Sequence, residues 1–269
     1  MFPLLREDSA KSSWIDVTST ELASLAADAR QELDAANREN RFPREVYREL
    51  GRRGYVGVMA PAAWGGSGGG VAEYVVVNEE IARHGLVPSQ VASQGVRWLL
   101  DWGTDEQKDQ WLRGIAVGDL VFSESISEKQ AGSSFRKMRA TAVRDGGDWI
   151  LNGSKTHVNL GADSDVTLVY AMAPEGLTSF LVDTSLPGVR RRVTEAIGSR
   201  LIPTSDVGFE GVRVPAGAIL GEPGRGMDTF LSTFNVSRLG NASDLIGLGR
   251  RALHLGLEYG EIERSATSR

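Results

Sequence analysis

Residues 122–134 read FSESISEKQAGSS, and the organisation of the whole chain follows from this stretch. Residues 120–126 have the pattern of a β-strand, which then breaks into small and polar residues that end in Ala-Gly-Ser-Ser. A loop of this kind presents backbone N–H groups and hydroxyls beside small side chains, and it is suited to hold a flat polar ring or a phosphate. A second segment, residues 152–161 (NGSKTHVNLG), lies across a predicted hairpin and can form an opposite wall. The alternative is that both segments are ordinary turns of a β domain.

Helical patterns fill the chain before this stretch. Apolar residues recur at the spacing of a helix face, and helices are predicted over residues 18–37, 43–53, 71–84, 89–102 and 104–118. The first of them is expected to be capped by Thr18 or Ser19. Residues 64–70 (WGGSGGG) favour a tight chain reversal over a phosphate site, because no P-loop lysine follows the glycines. Residues 1–118 are therefore predicted to form an N-terminal helical domain.

The spacing of apolar residues then changes from the helical period to the alternation that is typical of β-strands. Strands are predicted over residues 120–126, 138–143, 149–151, 166–171, 178–182, 189–193 and 209–214, with a hairpin turn at residues 145–148. Short strands at close spacing predict a small β-barrel or sandwich domain over residues 119–221. Two amphipathic helices, over residues 227–238 and 244–264, are predicted to start a C-terminal helical bundle within residues 222–269. The predicted fold class is α+β.

The composition limits the possible functions. The chain has 269 residues, a net charge of −5 and no cysteine, which excludes disulfides, thiolate metal sites and a cysteine nucleophile. The acidic balance offers no basic surface for nucleic acid or for an anionic membrane. His84, His157 and His254 are far apart and have no metal-ligand spacing, so no metal site is predicted. Without the apolar core of a signal peptide or an apolar run long enough for a membrane span, a cytoplasmic protein is expected.

Five motifs, in this order along the chain, resemble those of the acyl-CoA dehydrogenase family of flavoproteins. They are residues 57–68 (GVMAPAAWGGSG), 103–118 (GTDEQKDQWLRGIAVG), 124–134 (ESISEKQAGSS), 151–155 (LNGSK), and 209–215 (FEGVRVP) followed by 220–226 (LGEPGRG). The resemblance implies an FAD-dependent oxidoreductase that carries out α,β-dehydrogenation of an acyl thioester of coenzyme A or of a carrier protein. In that reaction a glutamate removes the α-proton while the β-hydride passes to the flavin. The family also implies a homodimer or homotetramer.

The resemblance further implies which residues bind. The cofactor-binding set that it implies is Ser125, Ile126, Ser127, Gly132, Ser133, His157, Val158 and Asn159. Within that set, Ile126 and Ser127 meet the pyrimidine side of the flavin. The glycine and serine that follow meet the pyrophosphate and the substrate's pantetheine, and the last three residues cover the isoalloxazine. The substrate-binding set that it implies is Ser133, Asn235 and Arg238.

Several positions depart from the family pattern. Lys129 and Gln130 replace the usual proline and glycine, and Ser134 replaces an aspartate. His157 stands where the family generally has tryptophan, and it can still stack on a ring while adding a titratable donor. Asn159 replaces a hydroxyl residue, and its amide can also donate a hydrogen bond.

No catalytic base is identified from the sequence. Some family members carry the glutamate one residue before the arginine that corresponds to Arg238, and here that position is Ser237. The arginine expected after Tyr259 is out of register, because Glu263 falls on its position and Arg264 follows. Two wide apolar helix faces lead us to expect further helices of the bundle beyond Arg269.

Two other functions remain open at this point. The altered loop and His157 are compatible with a flavin-dependent oxidase or monooxygenase on the same fold. The missing glutamates are compatible with a non-catalytic partner subunit that completes its site with another chain.

Overall fold

The structure is a computed structural model that describes the backbone of residues 8–88 and 90–267 and the side chains of residues 14–88 and 91–262. Ser89, where a helix was expected to begin, and the side chains of Glu263 and Arg264 lie outside these described residues. No described helix is both long enough and apolar enough to cross a membrane.

Helices make up the N-terminal part, as the sequence predicts. They are α1 (Asp8–Asp28), α2 (Arg30–Glu39), α3 (Arg44–Arg52), α4 (Val71–Arg83), α5 (Gln90–Trp102), α6 (Asp105–Gln107) and α7 (Arg113–Ala116), the last two joined by a π-helical turn (Lys108–Leu112). The predicted cap at Thr18 or Ser19 is wrong, because both residues lie inside α1. Ser19 instead makes a tertiary contact, with its Oγ 3.1 Å from His84 Nε2.

The glycine-rich segment between α3 and α4 is the predicted chain reversal. Gly65 and Gly68 have φ angles of 81° and 67°, which other residues rarely adopt. The Gly69 N–H donates to the Val58 carbonyl at 2.8 Å, so the segment closes on itself. The segment was predicted to be a tight chain reversal, and that prediction is confirmed.

Seven strands form one curled sheet in the middle of the chain. They are β1 (Phe122–Ser125), β2 (Thr141–Asp145), β3 (Asp148–Asn159), β4 (Val166–Ala173), β5 (Gly176–Asp183), β6 (Val189–Val193) and β7 (Thr204–Pro215). The order is β1-β4-β2-β3-β7-β6, and β5 also pairs with β4. A single curled sheet fits the barrel alternative better than two stacked sheets of a sandwich. Its apolar side is filled by large side chains such as Trp149 and Phe180, whose rings meet edge to face at 5.5 Å.

Segment 152–161 lies on the return strand of the predicted hairpin, which is formed by β2 and β3. Nearly all of it continues β3, which pairs with β7 as far as Asn159. The register shifts once between Leu151 and Gly153 and again between Lys155 and Val158. Such bulges bend a strand and redirect its side chains without ending the pairing.

The C-terminal part is one helix, α8 (Gly226–Thr267), where two helices were predicted. The predicted break falls on Gly240 and its neighbours. A Cβ at Gly240 would lie 2.0 Å from Tyr74 Oη on α4, so this glycine permits the close approach of two helices and does not end one. Further along α8, large apolar side chains such as Leu253 (65% exposed) and Leu257 (56% exposed) face outward.

Glu80 on α4 is a buried carboxylate that receives partners from several helices. His84 and Arg83 lie on the same turn, Ser19 comes from α1, and Arg250 Nη1 approaches from α8 at 3.1 Å. Burial alone would raise the pKa of Glu80, but the hydrogen bonds and positive charges of these partners outweigh it and lower the pKa to about 2. This carboxylate therefore ties α1, α4 and α8 together in its ionised form.

The substitution Glu80→Gln tests this linkage. A carboxyl group whose pKa is lowered by folding stabilises the fold above its ordinary value near 4.5, and that contribution is lost as the pH falls toward 2. We expect Glu80→Gln to lower the free energy of unfolding at pH 7 by on the order of 1 kcal/mol, since the arginines are partly exposed. Its stability should also fall less between pH 4.5 and pH 2 than that of the wild type. Urea unfolding at pH 7 and pH 3 measures both effects, with the exposed Glu45→Gln as the control; an acid dependence equal to the wild type would contradict the assignment.

Candidate functional site

A cavity of about 150 Å³ lies where α5, β1, β3 and α8 meet. Its lining residues are Val91 and Gln94 from α5, Glu124 and Ile126 from β1 and its end, His157 and Asn159 from β3, and Ser237 and Asn241 from α8. Two larger cavities in the described residues include none of the two segments singled out by the sequence, whereas this one brings residues of both together.

Alternation along β1 decides which of its side chains reach the cavity. Glu124 and Ile126 lie on the cavity side, two residues apart. Ser123 and Ser125 point to the opposite side, where the Ser125 hydroxyl is 2.8 Å from Thr167 Oγ1. The side chain of Ser125 is thus used inside the sheet, and only its backbone is near the cavity.

A buried ion pair anchors the loop that follows β1. Lys155 Nζ donates to Glu128 Oε1 at 2.9 Å and to the Ile126 carbonyl at 3.1 Å. The N–H groups of Arg139 and Ala140 donate to the same carboxylate at 2.8 and 3.0 Å. Burial opposes ionisation, but Lys155 and these N–H groups hold the pKa of Glu128 below its ordinary value. The loop is therefore fixed to β3 through the ionised carboxylate of Glu128, which is paired with Lys155 and hydrogen-bonded to two backbone N–H groups.

The small-residue end of the loop is open. Gly132 and Ser133 are exposed, and a Cβ built on Gly132 would meet no atom within 4 Å. Neither of their N–H groups donates a hydrogen bond to another described residue. Unpaired N–H groups on a loop without bulky side chains fit a phosphate group, since such groups form anion-binding concavities. Ser127 lies at the other end of the loop, where its carbonyl accepts from the Thr156 N–H at 2.9 Å.

The second wall comes from the bulged part of β3. His157 has a φ of 55°, in the left-handed region, and together with Asn159 it faces the cavity. Val158, between them, is 1% exposed and packs into the hydrophobic core. Val158 can therefore meet a ligand in the cavity only through its backbone.

The two predicted substrate residues on α8 lie away from the cavity. Asn235 and Arg238 are exposed, and the Arg238 guanidinium sits 4.7 Å from the centre of the Phe234 ring. The cavity instead receives Ser237 and Asn241, which are one helical turn apart. Ser237 Oγ accepts a hydrogen bond from Gln94 Nε2 at 2.8 Å, which links α8 to α5.

Glu124 is the most unusual side chain in the cavity. Its Oε1 is buried without a hydrogen-bond partner among the described residues, and so is Tyr170 Oη on the neighbouring strand β4. Burial raises the pKa of Glu124 to about 8. Burial, with a further contribution from Glu124, also raises the pKa of Tyr170 well above its ordinary value. The carboxyl group of Glu124 is therefore mostly protonated at neutral pH.

Sequence reasoning missed four of the lining residues: Val91, Gln94, Glu124 and Asn241. For Glu124 a signal was present, because it lies two residues before Ile126 in a predicted strand and so had to share its side of the sheet. Gln94 and Asn241 lie on helices whose faces meet only through tertiary packing, and no local pattern marks them.

Comparisons with known proteins bear on this arrangement. The family models described as "Acyl-CoA dehydrogenase, N-terminal domain" and "Acyl-CoA dehydrogenase, middle domain" match residues 16–119 and 123–212. A 3-(aryl)acrylate reductase of Clostridium sporogenes is 32% identical over 254 residues, which cover 88% of this chain and 67% of that protein. The caffeyl-CoA reductase–Etf complex subunit CarC of Acetobacterium woodii is 34% identical over 238 residues, covering 84% and 62%.

A solved structure agrees in fold. The glutaryl-CoA dehydrogenase of Mycobacterium smegmatis in complex with FADH2 superposes with a TM-score of 0.77 at 28% identity, covering 89% of this chain and 65% of that one. Across these and other similar relatives, the chain spans between 57% and 67% of the relative's own length.

Proposed function

Because the chain belongs to the acyl-CoA dehydrogenase family, we propose that the protein is an FAD-dependent oxidoreductase that dehydrogenates an acyl thioester of coenzyme A or of a carrier protein. The observation that carries the proposal is the meeting of Ile126, His157 and Asn159 in one cavity beside an open loop of small residues. These residues come from two segments that are about thirty positions apart in the sequence.

The residues present fit the cofactor. The unpaired N–H groups of Gly132 and Ser133 would bind the pyrophosphate, and the loop that carries them is held in place by Glu128 and Lys155. His157 and Asn159 would contact the ring system, with Ile126 as an apolar surface beside it. Ser125 and Val158 would contribute through their backbone only, since their side chains are committed elsewhere.

When bound, FAD would supply the two-electron acceptor of the reaction. The chain's own part is to orient the acyl group and to exclude water, for which Val91 and Ile126 provide the apolar walls. Ser237 is a neutral hydroxyl bonded to Gln94 and does not act as an α-proton acceptor at neutral pH. Glu124 holds a proton at its carboxyl group under the same conditions. The α-proton acceptor is therefore not assigned to any described residue.

The proposal extends to assembly, location and electron transfer. We expect a homodimer or homotetramer in the cytoplasm, and the absence of cysteine is compatible with a reducing compartment. We expect an electron-transferring flavoprotein as the class of acceptor, because the relative from Acetobacterium woodii is a subunit of a caffeyl-CoA reductase–Etf complex.

The experiment is a spectroscopic titration of the full-length protein loaded with FAD. Under anaerobic conditions, a series of acyl-CoA and acyl-pantetheine thioesters should bleach the visible flavin absorbance while an enoyl product accumulates. Rapid recovery of the colour on admitting oxygen, with stoichiometric hydrogen peroxide, would identify an oxidase instead. A protein that takes up no FAD, or one that is not bleached by any thioester, would contradict the proposal.

The loop gives a sharper prediction for cofactor binding. The substitution Gly132→Asp places a carboxylate beside the proposed pyrophosphate site, and repulsion between like charges should weaken FAD binding about tenfold or more. The matched control is Gly132→Ala, because a Cβ at this position meets nothing within 4 Å and should leave both stability and FAD affinity unchanged. Fluorescence titration of the cofactor-free proteins with FAD measures the effect. Equal affinity in the two variants would show that the pyrophosphate does not lie at this loop.

A further inference from the structure

Glu124 is the only acidic side chain that lines the cavity among the described residues. Its Oε1 lacks a hydrogen-bond partner there, as does the buried Tyr170 Oη on the adjacent strand. Nearly all buried polar atoms in folded proteins are hydrogen-bonded, and two exceptions on paired strands call for an explanation. Glu124 lines the cavity, so a ligand that brings a hydrogen-bond donor to this wall would provide the explanation for its carboxyl group.

The other polar side chains of the cavity also favour a ligand with hydrogen-bonding groups. The proposed function assigns Asn159 on β3 to the flavin, whereas Gln94, Ser237 and Asn241 line the side formed by α5 and α8. A purely aliphatic acyl chain would remove water from these groups without replacing its hydrogen bonds, which is unfavourable. Val91 and Ile126 leave room for only a short apolar part.

The charges around the cavity select the kind of polar group. Among the residues that the structure describes, no lysine or arginine lines it, and the neighbouring Lys155 is already bonded to Glu128. The titratable groups facing Glu124 are His157 from β3 and Tyr170 from β4, while α5 and α8 contribute neutral side chains. An anionic acyl group would therefore meet no compensating charge. An amine, which is an ammonium ion at neutral pH, would meet a carboxyl group that releases its proton to solvent on binding, and the resulting ion pair is stronger than a neutral hydrogen bond.

We propose that Glu124 determines the specificity of this cavity and that the acyl group bound there carries an amine nitrogen. The inference rests on the proposed function, because it takes the part of the cavity lined by Glu124, α5 and α8 to be the acyl site. It assigns Glu124 to recognition of the acyl group and leaves the α-proton acceptor unassigned.

The test compares three unreactive pantetheine thioethers on the full-length, FAD-loaded protein by isothermal titration calorimetry. S-butylpantetheine and S-(3-aminopropyl)pantetheine have the same length and differ in one terminal group, and S-(3-hydroxypropyl)pantetheine supplies a neutral donor. Pantetheine is common to coenzyme A and carrier proteins, so the result does not depend on the carrier. We expect the amine to bind at least about tenfold more tightly than the butyl compound. In Glu124→Gln this preference should fall to about twofold, whereas the control Glu210→Gln, an exposed carboxylate on β7, should keep it.

The outcomes separate the inference from the proposed function. Equal binding of the butyl and amine compounds to the wild type, or tighter binding of the hydroxyl compound, would overturn the inference and leave the thioester site intact. Persistence of the amine preference in Glu124→Gln would also overturn it. Failure of all three compounds to bind would instead overturn the proposed function. The comparison on the wild type stands even where the variant does not fold.

Discussion

Replacing Lys155 by methionine is expected to lower the free energy of unfolding by about 3 to 5 kcal/mol. The Lys155 side chain is 0% exposed and its partner Glu128 is 3% exposed, so the substitution leaves a carboxylate in the interior without its counter-ion. Two backbone N–H groups would still bond to Glu128, and they do not neutralise its charge. Because the pair also anchors the loop at residues 126–134, FAD affinity should fall together with stability.

Chemical denaturation at pH 7 measures this loss of stability. Two further variants separate the effect of the uncompensated charge from that of the lost packing. Arg190→Met breaks an ion pair whose side chains are 72% and 61% exposed, and it should cost less than about 1 kcal/mol. The double variant Lys155→Met with Glu128→Gln removes both charges and should recover part of the loss. If the single and double variants are equally destabilised, the lost packing of the lysine chain, and not the uncompensated charge, is the cause.

Substituting Gly240 by alanine is expected to destabilise the protein by about 1 to 3 kcal/mol, although alanine is the better helix former. The new Cβ would lie 2.0 Å from Oη and 3.0 Å from Cζ of Tyr74, whose side chain is fully buried. α8 must then shift away from α4. Ser237 and Asn241 would move with it, so the cavity should also lose ligand affinity.

Thermal unfolding of matched variants tests whether the contact between the new Cβ and Tyr74 causes the loss of stability. Gly249→Ala lies on the same helix, and its Cβ meets nothing within 4 Å, so it should gain up to about 1 kcal/mol. Combining Gly240→Ala with Tyr74→Phe removes the clashing oxygen and should restore part of the stability. A Gly240→Ala protein as stable as Gly249→Ala would contradict the close packing of the two helices.

Much of the fold could be predicted because its signals are local. The order of helices and strands follows from apolar periodicity, and the hairpin of β2 and β3 follows from Gly146 and Gly147 between alternating segments. The predictions failed where a residue that is typical of a helix end is instead explained by a contact with a distant element. Gly240 resembled a helix end but accommodates Tyr74, and Ser19 resembled a cap but contacts His84.

The candidate site was only partly predictable for a related reason. Ile126, His157 and Asn159 were found through the family resemblance, and the structure brings them together. Their counterparts Gln94 and Asn241 lie on helices that are far away in the sequence, and their approach to the cavity depends on how α5 and α8 pack against the sheet. The position of a side chain on one helix face or another, as for Arg238 and Ser237, likewise requires the packing to be known.

The unbroken course of α8 has a mechanical consequence. Asn241 lies in the cavity wall, and Tyr259 lies eighteen residues further along the same rod, a distance of about 27 Å at 1.5 Å per residue. The helix is held to α4 at Gly240 against Tyr74 and at Arg250 bonded to Glu80, about 15 Å apart along the axis. The ligand-facing wall and the outward apolar side chains therefore belong to one continuous helix, and a displacement of either end is opposed by both of these contacts with α4.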